Sequence, residues 1–275
     1  WTEFDGKNIV FTDIQKGPVM RVATYERGRL RFWTDPFEIN VSNEFHFFTP
    51  SDSVQDVTLF AKYTLRADEM FLNRMIGGTF EGSNDPDFRE KEVLYLINEK
   101  PKRLQTVVQS YSSKSYRYVR YIGPKDSHCN IAEAAFYTPN DTASLKGKVI
   151  GTPGCFQKDG SHEYTNVFDG DVTTSFDYIE PSGGWSGLDL GTPKQIGRIV
   201  YTPRSYDNYI RSGDDYELFY CARRNNWKSL GDQRSKADSL IYIKIPVNAL
   251  LLLCNNTRGI QERIFVYTAA EQIWK

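Results

Sequence analysis

Tyr116-Arg117-Tyr118-Val119-Arg120-Tyr121-Ile122 is the stretch on which the fold turns. Polar and apolar side chains take turns along Arg117–Tyr121, the two-residue period of a strand whose sheet has one wet face. Outward from it, strand-like runs cover Asn8–Asp13, Met20–Tyr25, Arg29–Trp33, Glu44–Phe48, Val57–Tyr63, Met75–Gly82, Val93–Ile97, Leu104–Gln109 and Ala132–Tyr137. Turn formers such as Glu81-Gly82-Ser83-Asn84-Asp85-Pro86 separate them. Helical periodicity is confined to Asp68–Arg74. The pattern predicts an all-β protein.

Composition agrees. Aromatic residues make up 14% of the 275 residues, with 17 Tyr and 17 Phe, and these side chains favour pleated, half-buried surfaces. A net charge of -1 gives no electrostatic case for nucleic acid, whose binding needs clustered Lys and Arg. The longest apolar run, Ala249–Cys254, has the length of a buried strand and is too short to span a membrane. The chain starts at Trp1 with no signal-like stretch and reads as a mature or trimmed fragment, so that absence does not argue for the cytoplasm. Cys129, Cys155, Cys221 and Cys254 form no CxxC pair, which argues against zinc. They fit up to two disulfides in an oxidising compartment, or buried thiols. Buried thiols are the preferred reading, because Cys221 and Cys254 end apolar strands.

The length suggests two domains. The polar stretch Thr138–Lys148 offers a boundary, and the strand pattern restarts after it. The halves also echo each other: Val57–Tyr63 parallels Ile196–Tyr201, Gly78–Ser83 parallels Asp215–Tyr220, and Ala132–Tyr137 parallels Gln261–Tyr267. Two similar β-domains in tandem are expected, residues 1–140 and 141–275.

The second half carries four ordered blocks: Tyr164–Phe176 with Asp169-Gly170, Gly184–Gly191 with Trp185 and Leu188-Asp189-Leu190-Gly191, Ile196–Arg204, and Glu262–Tyr267. In these it resembles the discoidin family, also called coagulation factor 5/8 type C or galactose-binding-like domains. The first half shows only blocks like that family's central and closing strands, at Phe80–Asp85, Tyr116–Tyr121 and Asn130–Tyr137. The chain is also similar to C-terminal regions of large secreted proteins of gut Bacteroides, and Asn248–Phe265 carries that likeness. The resemblance implies two antiparallel jelly-roll sandwiches, the first divergent, or else an N-terminal segment that belongs to another β module. It also implies an extracytoplasmic location and non-catalytic binding of a host or dietary glycan. A structural or protein-interaction module of a larger surface protein is the alternative.

The resemblance further implies a structural Ca²⁺ between the Asp-Gly loop and the closing strand, held by the carboxylates of Asp171 and Glu262 and the main-chain carbonyls of Phe168 and Thr174. A sugar needs an aromatic platform with Arg or amide groups to hold hydroxyls. Tyr178, Trp185, Arg204, Tyr206, Tyr209 and Arg211 are the candidates, and Pro203–Arg211 is rich in such groups for a loop. Trp227 is expected to be a buried structural residue. Enzyme motifs are missing: the three histidines, His46, His128 and His162, make no HExxH, and Gly184-Trp185-Ser186-Gly187 is not a nucleophile elbow. No catalysis is expected.

Overall fold

A computed structural model describes residues 13–63, 66–206, 208–223, 226–259 and 262–275, so most of the strand expected at Asn8–Asp13 lies outside the described residues. The N-terminal segment holds β1 (Ala23–Glu26), β2 (Arg29–Phe32), β3 (Phe37–Ile39), β4 (Phe45–Phe47) and β5 (Val54–Leu59). Then come α1 (Arg66–Asn73), β6 (Thr79–Ser83), β7 (Lys91–Leu96), β8 (Thr106–Gln109), β9 (Ser115–Ile122), β10 (Ile131–Tyr137), β11 (Lys148–Gly151), β12 (Trp185–Gln195) and β13 (Arg198–Pro203). The last segment holds β14 (Asp215–Cys221), β15 (Trp227–Arg234), β16 (Leu240–Pro246), β17 (Leu251–Asn255), β18 (Ile264–Thr268) and β19 (Glu271–Trp274). The all-β expectation holds, and α1 sits where the lone helical hint lay. No helix among the described residues is long and apolar enough to cross a membrane.

The chain divides into two compact units, and the division is not the expected one. A central unit spans Thr64–Arg211, and an outer unit combines Trp1–Tyr63 with Ser212–Lys275. The proposed boundary at 140/141 runs through the middle of the central sheets. β10, before it, pairs with β13, after it, from Ile131↔Pro203 to Tyr137↔Arg198. β9 and β12 pair across it too, from Trp185↔Ile122 to Gln195↔Ser115. A polar stretch between two strands reads the same whether it links domains or turns the chain within one sandwich. Here it turns the chain.

The central unit contains a five-stranded sheet, β11-β12-β9-β6-β7, and a three-stranded sheet, β10-β13-β8, with every pairing antiparallel. Phe80, Val119 and Tyr121 from the larger sheet and Ile131, Phe136 and Ile199 from the smaller meet in one core, all with 0% exposure. Val119 and Tyr121 turn inward with Arg120 facing the other way, but Tyr116 reaches the same core, so the alternation holds only over Val119–Tyr121 and not along all of β9. The wet face expected opposite them is not wet. Arg120 is only 8% exposed, because Phe88 and Trp185 stack over its guanidinium and Glu81 and Lys91 complete the cluster.

The central sandwich is thus assembled from the later strand blocks of the first half followed by the Asp-Gly block of the second.

The outer unit is built around the five-stranded sheet β15-β14-β17-β18-β19. β5, from the N-terminal segment, pairs with β16, from Leu240↔Leu59 to Pro246↔Val54. β1–β2 and β3–β4 are separate antiparallel pairs. Leu251 and Leu253 are buried in β17, as the apolar run implied. Trp227 departs from expectation: it starts the edge strand β15 and is 38% exposed, since an edge strand has no neighbour to cover it. All four cysteines are free thiols, three buried and Cys254 partly so.

Candidate functional site

Strand register gathers five connections at one end of the central sandwich. Thr79, Leu96, Ile122 and Trp185 lie in a row across the larger sheet. Ile131, Pro203 and Thr106 mark the matching end of the smaller one. The segments joined there are residues 74–78, 97–105, 123–130, 152–184 and 204–211, with α1 leading into the first.

A buried polar chain ties these loops together. Asp177 accepts a hydrogen bond from Asn130 Nδ2 on one oxygen (2.7 Å) and pairs with Arg204 through the other. Asn130 Oδ1 in turn accepts from Arg74 Nη1 at 3.0 Å. The Arg204 guanidinium also lies over the Phe71 ring of α1, 4.3 Å from its centroid. Main-chain bonds reinforce the links: Phe176 N–H donates to Ile131 O, Tyr178 N–H to His128 O, and His128 N–H to Pro181 O. A buried carboxylate that is both ion-paired and hydrogen-bonded is the arrangement that tolerates desolvation, so Asp177, Asn130 and Arg204 fix the loops rather than presenting themselves to a ligand, while Arg74 at the end of the chain also lines a groove.

The sequence candidates separate accordingly. Arg204 is committed to Asp177 and Phe71. Tyr178 packs on Phe176 (6.0 Å between centroids) and on the core. Trp185, the first residue of β12, packs tilted against Phe88 with 5.6 Å between ring centroids, on the outer face of the larger sheet. Tyr209 is buried and offers no open face, and Arg211 is half-buried. Tyr206 is the exception, 48% exposed with its ring 5.7 Å from Phe71. Beside α1 lies a groove of about 560 Å³ that sequence reasoning missed, lined by Met70, Asn73, Arg74, Ile76, Pro124 and Lys125 among others. Its residues come from a short helix and a distant loop, and only the fold brings them together.

The Asp-Gly loop also differs from expectation. Glu262 belongs to the outer unit, whereas the loop lies in the central unit. The closing-strand glutamate that meets the loop is Glu133, whose Oε1 accepts the Gly170 N–H at 2.9 Å. Burial, and then the neighbouring Asp169 carboxyl, push Glu133 up to about 8. Asp171 turns its carboxylate back on its own loop, accepting from Thr173 N–H (2.9 Å) and Thr173 Oγ1 (2.6 Å), and Thr173 holds it below the usual range. Asp169 accepts from Asp171 N–H and Thr174 Oγ1. The side chains that face each other at the loop are therefore Glu133 and Asp169, while Asp171 is committed to Thr173. No cluster of three or more His, Cys, Asp or Glu side chains suited to a metal occurs among the described residues, so a cation here would need main-chain oxygens as well.

No family model, curated protein or solved structure matches the chain. The functional reading therefore rests on this geometry and on the motifs.

Proposed function

We propose that the protein is a non-catalytic glycan-binding protein of an extracytoplasmic location, and that the ligand sits at the loop end of the central unit. The central unit is then a discoidin-type sandwich in circularly permuted order, with the Asp-Gly segment second. The observation that carries the reading is the loop end itself. Connections from both sheets are locked through Asp177, and they leave an exposed Tyr206 ring and a polar-rimmed groove. A rigid scaffold presenting adaptable loops is a common arrangement for recognition, and a groove of several hundred Å³ suits a sugar unit.

A structural Ca²⁺ belongs to this proposal, since hard oxygen donors are what the loop offers. Glu133 and Asp169 would supply carboxylates, with the main-chain carbonyls of Phe168 and Thr174. The ion would neutralise the two facing carboxyls and stiffen the loop.

Binding of the intact protein to a glycan array, with and without calcium, tests the function. Tyr206→Ala should weaken the signal about tenfold, the order expected for loss of an aromatic contact. Silence across all glycans from a verifiably folded protein would sink the reading. The alternative, a protein-docking module, draws support from the outer unit, where Tyr25, Leu30, Phe45 and Phe47 are all exposed.

A further inference from the structure

We infer that the α1 groove is selective for an acidic sugar, with Arg74 as the residue that takes its carboxylate. The inference rests on the glycan reading and goes beyond it by naming the ligand's charge.

Charge accounting within the loop end leads there. Arg204 and Arg74 both approach the Asp177 chain, but only Arg204 reaches the carboxylate. Arg74 meets Asn130 instead, a neutral amide oxygen at 3.0 Å. Among the described residues no carboxylate lies within ion-pair reach of Arg74, although its side chain is half-buried. A partly desolvated guanidinium without a counter-charge is unfavourable unless something anionic completes it. Four of its five donor hydrogens remain after the Asn130 bond, in a planar fork that matches a carboxylate.

The same bond sets its direction. Asn130 is 1% exposed and fixed by Asp177, so Arg74 is held from behind by a rigid group while it lines the groove in front. Lys125 in the same lining adds a second positive charge, and Asp126 is the one acid in the described lining. Ser127 does not compete for ligand, because its hydroxyl donates to Pro124 O at 2.6 Å and accepts from Cys129 N–H. Met70 and Ile76, 43% and 42% exposed, supply apolar contact for the C–H face of a pyranose ring, and the Asn73 amide stands ready for a hydroxyl.

The test uses the whole protein and calorimetric titration with digalacturonic acid, its neutral dimethyl ester, and 6-sulfated galactose. The acid should bind about tenfold more tightly than the ester, the worth of one charge-assisted contact, and the gap should narrow as salt rises. Arg74→Gln should bring the acid down to the ester's affinity while leaving the ester unchanged, and Arg74→Lys should restore part of the gap. Lys125→Gln, on the exposed rim, should reduce acid binding two- to threefold in a protein whose folding it does not touch. Equal affinity for acid and ester, or a preference that survives Arg74→Gln, overturns the inference and leaves the glycan reading standing. A sulfated sugar bound as tightly as the uronate overturns the assignment to carboxylate. No binding to any sugar overturns both.

Discussion

Arg120 and Glu81 face each other across β9 and β6, under the ring of Phe88. The guanidinium reaches Glu81 Oε2 through Nε at 2.8 Å and Nη2 at 2.7 Å, while Lys91 holds Oε1 at 2.9 Å. Both partners are almost fully enclosed, so removing one strands the other's charge. Arg120→Met should cost about 3 kcal/mol by urea denaturation. Adding Glu81→Gln should recover much of that loss, and a double variant no better than the single one would show that the pair is not the unit of stability. Glu133 and Glu262 teach a different lesson at this scale. Both head closing strands that look alike, Ala132–Tyr137 and Gln261–Tyr267. Sequence distance cannot say which of two similar strands completes a loop. The motif was legible and its partner was not. The loop aromatics failed for a related reason: residue type identifies Tyr206 and Tyr209 equally, but only packing shows one exposed and the other buried.

Among the elements, β12 and β9 run so close that the missing side chain of Gly187 is a requirement. A Cβ there would lie 2.3 Å from the Val119 carbonyl oxygen and 2.7 Å from Arg120 Cβ. Backbone cannot retreat from such an overlap without breaking the ladder. Gly187→Ala should therefore destabilise the central unit by about 3 kcal/mol, at the upper end for overpacking, seen as a lower thermal midpoint. Gly170→Ala meets no atom within 4 Å, though its φ of +85° also disfavours alanine, and makes a milder comparison. Most strands of the first half were readable, because a two-residue alternation is local, whereas β11, β16 and β19 were not picked out. β3, Phe37–Ile39, was missed, although β4, also three residues long, was found at Glu44–Phe48. The second face of the larger sheet was misjudged because Phe88 reaches it from the turn between β6 and β7. A side chain folding back from a turn leaves no mark on the strand's own pattern.

For the whole molecule, the decisive fact is that sheet neighbours come from opposite sides of the midpoint of the chain. A polypeptide of residues 64–211 should fold alone, with a β-type circular dichroism spectrum and a single cooperative unfolding transition. Residues 141–275 expressed alone should not, since that cut separates β12 from β9 and β13 from β10. Comparable cooperative folding of both fragments would overturn the assignment of the units. The same fact explains why the domain limits were not legible. The echoed strand pairs, such as β10 with β18, do fall in different units, yet nothing along the chain marks where one unit is interrupted by the other.

That interruption has a consequence for synthesis. The central unit is contiguous and can fold as soon as it has left the ribosome. The outer unit cannot close until Ser212 onward has appeared, because β5 waits for β16 to pair with it. Joining the two outer segments across a loose intervening chain of this length would cost about 4 kcal/mol of closure entropy. An already folded central unit removes most of that slack. The order of emergence therefore favours one assembly route, inner body first, and a ribosome that stops short of β16 leaves β5 with no strand to pair with.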